Sequence, residues 1–203
     1  MQVGRFIARG VIGSLFIGHG TQKLFGSFGG PGLAGTDGMM EALNMRPARR
    51  NSLAAGITET AGGALLVAGL ATPLAASALI GVMVTAIRKV HLPNGPWAAN
   101  GGWEYNAVLI AALAVLAEDG PGDLSLDAAT GLERTGAKWA LTSLALGAAA
   151  STLSIELGRR ASAGSAEAVG TPGQPTGAGA GGDAGGDDGE SPFPGTAGDP
   201  VTG

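Results

Sequence analysis

The chain of 203 residues has no cysteine. Disulfides, thiolate catalysis, Cys-ligated zinc and Cys-bound iron–sulfur clusters are therefore excluded. Histidine is almost as scarce. His19 and His91 are the only two, too few for a His-based metal site, so no metal is expected. Aromatic residues make up 4% of the chain and charged residues 14%. No basic patch interleaved with aromatics is present, which argues against nucleic acid as a partner. A nucleotide loop is lacking too. Gly26-Ser-Phe-Gly-Gly-Pro-Gly has no strand before it and no Lys-Ser/Thr after it.

The scarcity of charge is concentrated. Between Arg50 and Arg88 the single charged residue is Glu59. Thr72-Pro73 divides that stretch into two apolar segments, each about 20 residues, the length needed to cross a hydrocarbon core of roughly 30 Å. A carboxylate inside such a span costs a few kcal/mol or more unless it is paired or protonated.

Bulk values conceal this. The net charge of −4 and mean hydropathy of +0.26 would suit a soluble acidic protein. Residues 161–203, however, hold no Lys or Arg, six acidic residues, 13 Gly and five Pro. Such a stretch cannot offset its ordering entropy, so a disordered acidic tail is expected there. Residues 1–160 carry all 12 basic residues against ten acidic ones, a net +2.

Five apolar segments lie in the remainder, at about Val3–Phe25, Asn51–Leu70, Leu74–Leu92, Trp97–Ala117 and Trp139–Leu157. A soluble bundle shows polar stripes at helical spacing, and the second and third segments show none. A folded part of about 160 residues cannot bury five such helices in water. The fold class expected is therefore all-α, a transmembrane helical bundle with the lipid bilayer as its main partner. The first segment, with Arg5 and Arg9 inside it and no A-x-A site after it, reads as a retained span rather than a cleaved signal.

Charge bias sets the expected orientation. With the N-terminus outside, Lys23, Arg46, Arg49, Arg50, Arg88, Lys89, Arg159 and Arg160 fall on the cytoplasmic side. Arg5, Arg9, Arg134 and Lys138 then fall outside, eight against four. The acidic residues Glu118, Asp119, Asp123 and Asp127 also fall outside. The expectation is a multi-pass bacterial plasma-membrane protein with its C-terminus cytoplasmic. The fifth segment, rich in Ala, Ser and Thr, either spans or lies peripherally. In the loop from Gly26 to Arg50, Thr36 is placed to N-cap a short helix, which would either cover the bundle or act as a lid. A weak internal repeat pairs His19 with His91 and Glu59 with Glu104.

The polar residues within this frame are the candidates for function. Glu59 shares a helix face with Gly56 and Gly63, small residues that mark close helix contact in membranes. At about 12 Å from the inner end, it is within axial reach of Arg88 and His19. Arg9 reaches it from the other side, which suggests a structural ion pair of Arg9 or Arg88 with Glu59. His19 and Lys23 lie four apart on one face, where His suits proton exchange and Lys suits snorkelling. A third cluster joins His91, Asn94, Trp97, Trp103, Glu104 and Tyr105. Its Trp and Tyr rings suit the membrane interface. Glu104 has no such explanation.

The segments HGTQKLFGSFGGPGLAGT, LAAGITETAGGALLVAGLATPLAA, VHLPNG, NGGWEYN and GPGDLSLD resemble the DoxX family of small bacterial membrane proteins, in order over about residues 5–127. The Ala- and Gly-rich composition is similar to that of actinobacterial members. The resemblance implies a four-helix membrane domain over 1–130, with residues 131–160 as an added fifth helix and 161–203 as the tail. The family is named after a subunit of a thiosulfate:quinone oxidoreductase, and a mycobacterial relative is linked to a membrane oxidoreductase complex. The implied function is a quinone-linked membrane oxidoreductase subunit with a polar cytoplasmic-side pocket, acting in sulfur or oxidative-stress chemistry. Quinone is the implied cofactor, with none bound covalently, and oxidoreductase subunits are the implied partners. Glu59, His19 and Glu104 would then be catalytic. Lys23, Arg88, His91, Asn94, Trp103 and Tyr105 would bind ligand. The alternative is a non-catalytic scaffold or small-molecule carrier held together by its buried charges. A homo-oligomer fits either reading.

Overall fold

A computed structural model describes residues 3–169. Among them the chain forms seven α-helices: α1 (Val3–Phe25), α2 (Gly32–Ala42), α3 (Ala48–Ala68), α4 (Thr72–Ala86), α5 (Glu104–Asp119), α6 (Leu126–Thr130) and α7 (Ala137–Val169). No strand is present among the described residues. The architecture is an all-α helical bundle.

The α1–α3 pair has the most extensive contact, followed by α4 with α7. Glycine makes both possible. A Cβ on Gly63 would lie 2.5 Å from the Gly13 carbonyl oxygen, and one on Gly13 would lie 2.6 Å from that of Gly63. Further along, Gly20 faces Gly56 and Thr60. The two backbones therefore meet without intervening side chains, the small-residue packing used by membrane helices. Gly81 and Gly147 do the same for α4 and α7. Phe16, Leu66, Leu79, Ile80, Met83, Leu109 and Leu113 fill the core between these pairs.

Beside this apolar core, polar and charged side chains are buried while many large apolar ones face outward. Arg9, Glu59, Asp127, Thr36, Ser52, Ser143 and Ser151 are buried. Large apolar side chains lie outside: Phe6, Ile7 and Val11 on α1, Val108 and Val115 on α5, Leu141, Leu146 and Leu153 on α7. Most of the buried hydroxyls donate to backbone carbonyls, Ser151 Oγ being an exception. Ser52 donates to the Ala48 carbonyl at 3.0 Å, and Ser77 and Ser143 both donate to that of Pro73, at 2.7 and 2.9 Å.

Two helical stretches are long and apolar enough to cross a membrane: 72–94, where α4 continues through a π-helical turn at Ile87–His91, and 137–164 within α7. The fifth apolar segment, expected as the weakest, thus becomes one of the two strongest. Other boundaries differ from expectation as well. The fourth segment begins its helix at Glu104 rather than Trp97, because Gly95 and Gly101 at positive φ, with Pro96 between them, fold residues 95–103 into a tight loop. Thr36 is not an N-cap. It lies inside α2, fully buried, and its Oγ1 donates to the carbonyls of Gly32 (2.8 Å) and Lys23 (3.2 Å). Helix α7 runs to Val169, past the expected start of the tail at Ala161. The remainder of that tail, 170–203, lies outside the described residues.

Candidate functional site

Glu59 lies on the buried face of α3 with Gly56, Gly62 and Gly63, and is 2% exposed. Its partner is Lys23, in the last turn of α1, where a cation also opposes the helix C-terminal dipole. Lys23 Nζ donates to Glu59 Oε2 at 2.5 Å. The Lys23 side chain keeps about a fifth of its surface exposed while that of Glu59 keeps almost none. Exposed His19, one turn earlier on α1, acts electrostatically on the same carboxylate. Helix α2 is latched beside this end of α1 through the Thr36 bond to the Lys23 carbonyl.

The expected ion pair of Arg9 with Glu59 is not formed, nor is that of Arg88. Register is the reason. Setting Gly13 against Gly63 and Gly20 against Gly56 puts Arg9 at the Gly69 end of α3, far from Glu59. Arg9 donates instead to the Leu124 carbonyl at 2.5 Å. Arg5 donates to the backbone carbonyls of Asp119 and Gly120. Arg88 lies on the π-helical turn and donates to Thr152 Oγ1 of α7 at 3.0 Å.

His91, Asn94 and Glu104 bond into the loop between α4 and α5, which Trp103 joins through its backbone amide, while Tyr105 lies exposed in the first turn of α5. His91 Nδ1 lies 2.8 Å from the Gly101 carbonyl oxygen, which also accepts from Asn94 at 3.1 Å. Glu104 Oε1 accepts from the Ala98 amide at 2.7 Å. The Trp103 amide donates to Gly95 and that of Glu104 to Pro96. Gly102 is buried there because a Cβ would meet the Gly95 and Pro96 backbone. The His91, Asn94 and Glu104 side chains bond to the backbone of this loop, Glu104 as the acceptor for an amide. The pairing of Glu59 with Glu104 as repeat equivalents fails, since one is mid-helix and ion-paired while the other opens α5.

Asp127 was not among the residues singled out for chemistry, yet it is buried and central. Its carboxylate accepts from the amides of Ala71 (2.8 Å) and Thr72 (3.1 Å) and from Thr72 Oγ1 (3.1 Å), capping α4. No local pattern marks this, because the two partners are 55 residues apart in sequence.

Comparison with known proteins bears on the first of these clusters. Residues 4–92 match the DoxX family model. The matched DoxX segment runs from the start of α1 to the end of the π-helical turn, so it contains His19, Lys23, Glu59, Arg88 and His91. The NGGWEYN and GPGDLSLD segments lie beyond it. No curated protein and no solved structure matches the chain. Within residues 4–92 the arrangement chemistry can use is Glu59–Lys23–His19: a buried carboxylate, an ammonium and an exposed imidazole, in that order of burial.

Proposed function

We propose that this chain is a DoxX-family integral membrane protein and serves as a subunit of a quinone-linked membrane oxidoreductase in sulfur or oxidative-stress chemistry. The DoxX match, the exposed apolar side chains and the two long apolar helices support the membrane placement. The charge bias supports an outside N-terminus. The observation that carries the site is the 2.5 Å contact between Lys23 Nζ and Glu59 Oε2 beside exposed His19. Together they form a chain of titratable groups leading from the bundle interior to its surface. In this reading His19 donates a hydrogen bond to a quinone carbonyl at the protein surface, and Lys23 and Glu59 supply and take up protons behind it. A quinone supplies the electron-accepting chemistry when bound. A chain without Cys and with two His is a poor electron carrier, so electrons come from a partner subunit or directly from the substrate.

The test is quinone reduction in proteoliposomes with sulfur donors, comparing the wild-type chain with Glu59→Gln and His19→Ala. Loss of turnover in both, with the fold intact, is expected. Equal turnover in all three sinks the proposal.

One observation favours the alternative of a scaffold or carrier. Lys23 and Glu59 satisfy each other at the most extensive helix contact in the bundle, where a pair that only locks α1 to α3 would sit. In that case Glu59→Gln lowers thermal stability in detergent and no redox turnover is found with any partner.

A further inference from the structure

A groove lies where α2, the start of α3 and α7 meet. Helix α7 passes close to the connection between α2 and α3 because residue 158 is glycine. A Cβ there would lie 3.2 Å from the Met45 Cα and 3.6 Å from the Arg46 amide nitrogen. One turn on, Ser162 Oγ donates to the Asn44 carbonyl at 3.4 Å. The groove beside these contacts has a volume of about 400 Å³, within the roughly 300–1,000 Å³ of small-molecule sites.

Its charged lining is two acids and two bases: Asp37, Glu41, Arg46 and Arg49. Arg49 donates to Asp37 at 2.9 Å, which settles one of each. Glu41 and Arg46 are left. Both are exposed, and neither has a hydrogen-bond or ion-pair partner among the described residues. An anion drawn to Arg46 would meet Glu41, and a cation drawn to Glu41 would meet Arg46. A molecule that carries both charges suits both residues, whereas either charge alone is penalised.

Position narrows the class further. The apolar stretch of α7 ends at Gly164, and that of α3 begins just after Arg50. The groove therefore stands at the edge of the apolar region, where the membrane reading puts lipid headgroups. From Ala161 toward the middle of α7, Leu157, Leu153 and Leu146 follow on one side of the helix. They are 45%, 60% and 53% exposed. The three leucines extend over about 16 Å, half of a roughly 30 Å hydrocarbon core.

We propose that the groove holds the headgroup of a zwitterionic phospholipid bearing a primary ammonium. Its phosphate pairs with Arg46, its ammonium donates to Glu41, and its acyl chains run along the α7 leucines. A quaternary ammonium has no N–H to donate to the carboxylate, and an anionic headgroup is repelled by it. The site shares only the membrane placement with the reading above. It does not involve Glu59, so the two can fail separately.

The test is native mass spectrometry of the full chain in detergent, titrated with phosphatidylethanolamine, phosphatidylcholine or phosphatidylglycerol. One saturable phosphatidylethanolamine is expected, held about tenfold more tightly than either other lipid, the scale of one hydrogen bond to a charged group. Arg46→Gln should weaken it by about the same factor. Glu41→Gln should also weaken it but strengthen phosphatidylglycerol, because the repelling carboxylate is gone. A merely structural role for Glu41 would not invert the lipid preference. Both side chains are exposed and unpaired, so thermal unfolding of the two variants should match wild type. Equal retention of the three lipids, tighter phosphatidylglycerol in the wild type, or wild-type lipid binding by either variant overturns the proposal. So does glycerophosphoethanolamine that competes as well as the intact lipid, since the ligand would then be a soluble zwitterion.

Discussion

Lys23 Nζ meets Glu59 Oε2 at 2.5 Å across the α1–α3 contact, with the carboxylate buried and the ammonium partly exposed. This asymmetry decides how each deletion should behave. Removing the lysine strands a buried charge. Removing the carboxylate leaves a lysine that can extend toward the surface.

The first prediction follows directly. Lys23→Met should destabilise the bundle in detergent by roughly 3 kcal/mol, the scale of a buried pair broken on one side. Glu59→Gln should cost less, about 1 kcal/mol. The double substitution Lys23→Met with Glu59→Gln should cost less than the sum of the two single losses. Denaturant titration of all four proteins gives the coupling energy, and strict additivity would contradict a direct pair.

Glycine should matter by position rather than by number. A methyl on Gly63 would lie 2.5 Å from the Gly13 oxygen and 3.0 Å from the Ile17 amide nitrogen, backbone atoms that cannot yield. Gly63→Ala should cost about 1–3 kcal/mol through overpacking. Gly10 lies on the same α1 with open space around it. Gly10→Ala should be neutral or stabilise by up to about 1 kcal/mol. Equal effects from the two would mean that the α1–α3 backbones do not pack as closely as described.

These contacts show what the sequence could and could not reveal. The helical class and the approximate extents of α1, α3 and α4 were legible, because apolar length and the Thr72-Pro73 break are local properties. The small-residue face around Glu59 was legible for the same reason. The partner of Glu59 was not, because axial depth alone leaves several basic residues within reach. Interhelical register chooses among them, and it depends on which glycines meet. Charge counting did place Arg9 and Asp127 on the same side of the bundle. That Asp127 caps α4 was beyond it, since the cap joins segments 55 residues apart.

Glu104 is a carboxylate with a backbone contact of its own. Its Oε1 accepts from the Ala98 amide at 2.7 Å, and glutamine can supply the same acceptor. Glu104→Gln should therefore unfold within about 1 kcal/mol of wild type and keep residues 95–103 resistant to limited proteolysis. Glu104→Ala should open that loop to cleavage. A catalytic Glu104 would instead show as lost turnover in the glutamine variant with the loop still protected.

Asp127 carries the last prediction. Ala71 adopts φ 48°, a left-handed conformation that costs a non-glycine residue about 1 kcal/mol or more. Asp127 Oδ1 holds that strained amide at 2.8 Å, and Oδ2 accepts from both the Thr72 amide and hydroxyl. Asp127→Ala removes all three acceptor contacts and should cost about 2 kcal/mol, the upper range for a lost helix cap. Ala71→Gly removes the strain without touching the cap, so alone it should stabilise slightly. Combined with Asp127→Ala, it should return part of the loss, because the turn no longer needs the carboxylate to hold an unfavourable residue. Thermal unfolding of the three variants in one detergent decides the matter. If Ala71→Gly rescues nothing, the carboxylate acts through capping α4 alone and not by restraining the turn.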